Sequence, residues 1–323
     1  MKYVITIGLF ICFGFLACET ASKELNSDTL VDNPSHLSND TLALRIQLGK
    51  EFFNDVRLSR DNTISCTSCH HKDAAFSDTS QFSVGIDGQL TIRNSLPLFN
   101  LDKHTSFFRD GGSPTLEMQV VSPIENPIEM DMNLIELCTK LDSIESYHNQ
   151  AKLAFGMEVN PFVITRSLAA YLRTFKSLNS RYDQFLKGSN KALTDIEKQG
   201  FDLFMTKANC ISCHSGFNLS NNTFQNNGLY REYQDKGRFV ITQVDGDKGK
   251  FIVQSLRNVE LTAPYMHDGS ISTLDEVVDH YVSGGADHVN KSDLIQPLDL
   301  TADEKFSLVS FLKSLTDDIF TEE

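Results

Sequence analysis

The 323-residue sequence has no tryptophan, only 8 prolines and no cluster of basic residues. Its 29 basic and 43 acidic side chains give a net charge of −14. An acidic chain without basic runs argues against nucleic acid as a partner and leaves a basic protein open as an electrostatic partner. With 40% hydrophobic and 22% charged residues, the composition is that of a globular protein rather than a disordered one.

Long apolar runs are also absent, except at the N-terminus over residues 3–17, a run too short to span a bilayer comfortably. A lysine followed by this run predicts a secretory signal over residues 1–17. The run ends in a small residue before Cys18, which resembles a bacterial lipobox and predicts a periplasmic lipoprotein. The alternative is an ordinary signal peptide in which Cys18 has no role. Residues 18–40 are polar and are expected to form a flexible tether.

Two C-x-x-C-H motifs carry the chemistry: Cys66, Cys69 and His70, then Cys210, Cys213 and His214. A zinc site would need its two pairs about 15–20 residues apart, whereas these motifs lie in different halves of the chain. A disulfide framework suits an exported protein, but it gives no reason for a histidine directly after both pairs. Two thiols at this spacing match the two vinyl groups of a haem, and the histidine can bind its iron. The motifs therefore predict two covalently bound haem c groups.

The two halves repeat the same landmarks in the same order. The pairs are Gly49-x-x-x-Phe53 with Gly200-x-x-x-Phe204, Arg93-Asn94 with Arg257-Asn258, and Asp110-Gly111-x-x-x-Thr115-Leu116 with Asp268-Gly269-x-x-x-Thr273-Leu274. Such agreement indicates internal duplication. We predict two homologous haem domains over residues 41–190 and 191–323, with the last residues packing back on the first domain.

Both halves are expected to be mainly helical. Capping boxes beginning at Thr194, Thr273 and Thr301 each predict the start of a helix. A further helix is expected after Asn160, because the proline that follows suits a first turn. Residues 215–250 are rich in Asn, Gly and Asp and are expected to be irregular.

The repeat also allows a comparison of the two positions, one in each half, where a sixth iron ligand would lie. Tyr281 follows Asp268 by thirteen residues, and Pro123 follows Asp110 by the same interval. Because proline has no side chain that can bind iron, the first haem is expected to keep an open face. The second haem is expected to take Tyr281 as its sixth ligand. The alternative is that this tyrosine only packs or hydrogen-bonds at the haem edge.

Three polar side chains lie near Pro123 and could serve an open site: Gln119, Glu125 and Glu129. A carboxylate above the iron can move a proton between the two oxygens of peroxide, which predicts peroxide chemistry at the first haem. The alternative is that these glutamates are solvated surface residues, as most are.

Taken together, the sequence resembles the bacterial dihaem cytochrome c peroxidase and MauG family over about residues 41–316. The matching stretches are residues 55–59, 64–70, 93–95, 123–130 and 263–269. The resemblance implies two cytochrome-c-like domains in tandem. It makes the first haem the peroxide site, with His70 proximal and Gln119 and Glu129 distal, and the second haem an electron relay with His214 proximal.

The resemblance further implies a calcium ion between the domains, at positions matching Asn94, Thr262 and Pro264. Two of these would act through backbone carbonyls, in an oxygen-rich shell suited to Ca²⁺. Hydrogen peroxide is the implied substrate, and a small cytochrome c or cupredoxin is the implied electron donor. Members of the family often form homodimers, so a dimer is a further expectation.

Three departures from the family pattern affect the expected chemistry. The peroxidases usually have a methionine ligand at the position of Tyr281, and a tyrosine there resembles the MauG branch. Met266 and His280 are the alternative sixth ligands. Arg109 replaces the tryptophan between the haems, and guanidinium is a poor relay for an electron hole. The stretch 82–88 lacks the histidine that blocks the resting peroxide site.

Three functions follow from these features. The first is a peroxidase that takes electrons one at a time from a small redox protein. The second is a MauG-like oxidase that uses peroxide to oxidise a protein or an organic compound. The third is an electron-transfer protein with both irons six-coordinate, which Pro123 argues against.

Overall fold

Helices dominate residues 37–320, the part of the chain that the computed structural model describes. This confirms the prediction of a mainly α protein. The α-helices of that part, α1 to α11 in chain order, are Asn39–Asn54, Leu116–Gln119, Val121–Glu125, Leu134–Asp142, Glu145–Phe155, Pro161–Leu172, Arg181–Leu186, Asp195–Met205, Phe239–Thr242, Leu274–Ser283 and Ala302–Lys313. Two short strands, β1 (Phe224–Gln225) and β2 (Phe251–Ile252), pair antiparallel. No helix among the described residues has the length and apolar character needed to cross a membrane.

The predicted helix starts are confirmed, because each is set by a side chain close in sequence. The hydroxyl groups of Thr194, Thr273 and Thr301 accept hydrogen bonds from backbone N–H groups three residues on, at the starts of α8, α10 and α11. Asn160 caps α6 in the same way, with Pro161 at its first position.

The start of the first helix differs from the sequence prediction. The predicted signal and Cys18 lie outside the described residues, as does most of the predicted tether. Helix α1 begins at Asn39, inside the stretch 18–40. The Ser38 hydroxyl fixes this start by accepting a hydrogen bond from the N–H of Thr41 at 3.2 Å.

The helices pack into two hydrophobic cores. The first forms mainly around α1 and α6, and the second around α8 and α11. Tyr182 of α7, which lies before the predicted boundary at residue 190, packs in the second core with its ring 5.5 Å from that of Phe311. Phe320 returns to the first core, where its ring lies 6.1 Å from that of Phe76.

In each core the central helix pair touches at a glycine. A Cβ on Gly49 would overlap the carbonyl oxygen of Ser167, and a Cβ on Gly200 would overlap that of Ser307. Helix α1 therefore meets α6 backbone to backbone, and α8 meets α11 in the same way. The two glycines occupy equivalent positions of the sequence repeat, so both halves use the same helix contact.

We expect Gly49→Ala and Gly200→Ala each to lower the free energy of unfolding by about 1–3 kcal/mol, because the added methyl group must push two packed helices apart. Gly246→Ala is the control, since a Cβ there meets nothing within 4 Å, and we expect it to change stability by less than about 0.5 kcal/mol. Thermal unfolding of the holoprotein measures the difference. Equal unfolding temperatures for the three variants would contradict the close helix contact.

Candidate haem sites

The first motif lies in a short 3₁₀ turn over Cys66–Ser68, and the N–H of His70 donates to the carbonyl of Cys66 at 3.0 Å. The Nδ1 of His70 lies 2.7 Å from the carbonyl oxygen of Phe76. Because a carbonyl can only accept, Nδ1 carries the proton and Nε2 keeps its lone pair. Burial lowers the pKa of His70, so the ring is neutral, which is the form that binds a metal.

The second motif repeats this geometry. Its turn spans Cys210–Ser212, and the N–H of His214 donates to the carbonyl of Cys210 at 2.8 Å. The Nδ1 of His214 lies 3.0 Å from the carbonyl oxygen of Leu219, and burial again lowers the pKa of the imidazole. Each half therefore presents one neutral imidazole with Nε2 available to iron.

The predicted residues of the first site meet in a cavity of about 70 Å³. Its lining includes Cys66, Cys69, His70, Gln119, Pro123 and Glu129. Gln119 ends α2 and Pro123 lies in α3, so the break between these short helices brings both to the cavity. Glu125 does not line this cavity. Its carboxylate instead accepts a hydrogen bond from the N–H of Leu134 at 3.3 Å.

Glu129 is the acidic group of this first cavity. The side-chain amide of Asn126 donates to its Oε1 at 2.6 Å, which fixes the carboxylate. Burial nevertheless raises the pKa of Glu129. A held carboxyl group with a raised pKa can take up and return a proton more readily near neutral pH than an ordinary surface glutamate.

The second cavity, of about 480 Å³, is larger and falls in the usual range for cofactor sites, about 300–1,000 Å³. The second motif lines it together with Met266 and with Tyr281 of α10. His280 is not part of this lining; its Nε2 lies 3.0 Å from the carbonyl oxygen of Asn227. Of the three candidate sixth ligands, the structure places Tyr281 and Met266 in the cavity and His280 outside it.

Asn227 also belongs to this site, although no sequence motif predicts it. Its side-chain amide donates to the sulfur of Met266 at 3.3 Å. Burial raises the pKa of Tyr281, and a hydrogen bond from Asn227 opposes that shift. Since a donor to the phenol oxygen favours the anionic form, Asn227 supports the form of tyrosine that binds ferric iron. One asparagine in an asparagine-rich irregular stretch carries no local signal that could have identified it.

The donor sets of both cavities fit haem c. The described cysteines form no disulfides. Burial raises the pKa of Cys66 and of Cys210 to about 12, so both stay thiols rather than thiolates that would favour zinc. His70 and His214 would supply the iron ligands.

The implied calcium site has a different occupant. Arg109 is 8% exposed and lines the second cavity with Asn94, Thr262 and Pro264. Its Nε donates to the carbonyl oxygen of Asn94 at 3.0 Å, and its Nη2 donates to Oδ1 of the same residue at 2.9 Å. Calcium needs six to eight oxygen ligands, and these two already bind a cation, so the residues do not fit calcium. Among residues 37–320 no group of three or more His, Cys, Asp or Glu side chains could hold a metal ion.

Two C-x-x-C-H sites in a mainly helical chain define a dihaem c-type protein. Residues 43–191 match the family model described as di-haem cytochrome c peroxidase. The methylamine utilization protein MauG of Methylorubrum extorquens is 33% identical over 285 residues, which cover 87% of this chain and 81% of that one. Cytochrome c551 peroxidase of Nitrosomonas europaea is 34% identical over 278 residues, covering 84% and 80% of the two chains.

This chain is also similar to a solved structure. The crystal structure of a MauG-like protein associated with microbial copper homeostasis superposes with a TM-score of 0.81 at 35% identity, covering 86% of this chain and 91% of that one. The chain belongs to the di-haem cytochrome c peroxidase and MauG family. Membership implies two c-type haems and peroxidase-type oxidoreductase chemistry.

Proposed function

We propose that the protein is a dihaem c peroxidase that reduces hydrogen peroxide to two water molecules, taking up two electrons and two protons. The electrons come from a small cytochrome c or cupredoxin. The observation that carries the proposal is the meeting of His70, Gln119 and Glu129 in one cavity. Pro123 on the same lining offers no competing iron ligand.

When bound at His70, haem supplies an iron that binds peroxide and passes electrons to it. The chain supplies the proton transfers and the orientation. Glu129, held by Asn126, takes a proton from one peroxide oxygen and returns it to the other, which makes the outer oxygen a better leaving group. The Gln119 amide donates a hydrogen bond that orients the substrate beside this carboxylate.

The second site is proposed as the electron relay, with His214 and Tyr281 as iron ligands. Its support is the lining of the larger cavity and the hydrogen bond from Asn227 to Tyr281. We also propose two tandem domains over residues 41–190 and 191–323 that arose by duplication, with Tyr182 of α7 packing across the boundary into the second core. The equivalent helix contacts at Gly49 and Gly200 support that origin. The N-terminal sequence supports a periplasmic protein anchored through a lipid on Cys18.

The testing experiment mixes the oxidised holoprotein rapidly with one equivalent of hydrogen peroxide, without reductant, and follows the main haem absorption band. We expect an immediate change, because residues 82–88 provide no histidine to block the first haem. Reduced cytochrome c is then added, and two molecules should be oxidised for each peroxide consumed. A protein that leaves every small redox donor unoxidised, while it uses peroxide to oxidise an organic substrate, would contradict the peroxidase proposal.

The second candidate function is a MauG-like oxidase, and Tyr281 is the observation that favours it. The half-buried side chain of Tyr281 lines the second cavity, with a hydrogen bond from Asn227. A phenolate ligand stabilises ferric iron and lowers the reduction potential, which suits a haem that stores oxidising equivalents better than one that relays electrons.

Tyr281→Phe is expected to change the absorption spectrum of the oxidised holoprotein and to raise the potential of the second haem, because a phenolate ligand is lost. Met266→Leu is the matched control, since Met266 lines the same cavity. This variant is expected to leave the spectrum unchanged. Absorption spectra and a redox titration of both variants measure the effect. The reverse result, with only the Met266 variant altered, would assign the ligand to the thioether.

A further inference from the structure

Asn94 joins the two halves of the protein, and all of its polar groups have partners. Its N–H donates to the carbonyl of His267 at 3.0 Å. Its side-chain amide donates to the carbonyl of Ser80 at 3.2 Å. Its two oxygens both accept from Arg109. The residue is 5% exposed, so these contacts form inside the protein and not at its surface.

Arg93, Asp235 and Asp268 are the charged neighbours of Arg109. Arginine is not deprotonated in proteins, so its guanidinium carries a positive charge at neutral pH. Arg93 is itself neutralised by ion pairs to Asp110 and Asp235, each at 2.6 Å. Arg109 thus supplies positive charge at the junction, where its two hydrogen bonds to Asn94 go to neutral oxygens.

We propose that the guanidinium of Arg109 is the resident cation of this junction, in the place that the family resemblance gives to calcium. The protein is then independent of calcium. An arginine fixed by the chain satisfies both Asn94 oxygens without the uptake of a metal ion. A calcium ion beside it would meet a like charge in a buried environment and would find both oxygens engaged.

The test uses the holoprotein, treated with a calcium chelator and then dialysed against calcium chloride. We expect elemental analysis to find no stoichiometric calcium. Neither the unfolding temperature nor the haem spectrum should change with either treatment. A tightly bound calcium whose removal lowers the unfolding temperature would overturn the proposal. None of these measurements depends on peroxidase turnover, so the proposal can fail while the proposed function stands.

Variants of Arg109 separate its charge from its bulk. Arg109→Gln is expected to lower the unfolding temperature by about 2–6 °C, because a buried oxygen of Asn94 loses its donor. It should also lower the reduction potential of the second haem, because a positive charge beside that cavity is gone. Arg109→Lys keeps the charge and is expected to preserve the potential.

Arg60→Gln controls for the loss of one positive charge, because Arg60 forms its ion pairs at the surface with 48% of its side chain exposed. We expect it to leave the potential of the second haem unchanged. An Arg109→Gln variant with the stability and potential of the unmodified protein would also overturn the proposal.

Discussion

Replacing Glu129 by glutamine is expected to slow the reaction with peroxide by about 10²–10⁴-fold, the usual contribution of a positioned proton-transfer group. Glutamine keeps the size of the side chain and its contact with Asn126, but it cannot take up a proton. Rapid mixing of the oxidised holoprotein with peroxide measures the rate directly. Glu125→Gln is the matched control, because Glu125 lies in the same stretch outside the cavity and glutamine can still accept from Leu134.

The pH dependence gives this prediction a second readout. Burial raises the pKa of Glu129, and the carboxylate form is the one that accepts a proton from peroxide. The rate should therefore fall as the pH is lowered through a pKa above the ordinary range of glutamates, near 4.3. That acid limb should be missing from Glu129→Gln and present in Glu125→Gln. A Glu129→Gln variant with unchanged rates would remove this residue from the mechanism.

Asp183→Asn is expected to destabilise the protein by about 3–5 kcal/mol, because it leaves the buried guanidinium of Arg257 without its counter-charge. The two side chains are 9% and 3% exposed, and Nη1 and Nη2 donate to the carboxylate at 2.7 and 2.8 Å. The same carboxylate accepts from the N–H of Ser180 at 2.9 Å, so it also caps α7. Thermal unfolding of the holoprotein measures the loss.

The stabilisation by Asp183 has a definite dependence on pH. Burial alone would raise the pKa of Asp183, but hydrogen bonds from Arg257 and Ser180 outweigh it and lower the pKa. The stabilisation is therefore complete above the pKa of an unfolded aspartate, about 3.9, and is lost as the pH falls through the lower folded value. The gap between the unmodified protein and Asp183→Asn should narrow only in acid. Asp287→Asn is the control, because Asp287 is 95% exposed in its pair with Lys291 and should matter little.

The sequence predicted most of the first site because its residues come from short, recognisable stretches. The C-x-x-C-H motif determines the turn that carries His70, and residues 119–129 contain both Gln119 and Glu129. The structure places Glu129 on the cavity and Glu125 outside it, where its carboxylate accepts a hydrogen bond from the N–H of Leu134. Sequence spacing could not make that distinction, because both glutamates lie close to Pro123.

The sequence by itself determined the two haem motifs, the helix starts at its threonine caps and the mainly helical fold, since each depends on contacts between residues a few positions apart. Only the tertiary structure decided which residues meet across the chain. It placed Asn227 beside Met266 and Tyr281, and it placed Arg109 on both oxygens of Asn94. These contacts depend on how irregular segments pack between the helices, and no periodicity or local pairing in the sequence encodes that packing.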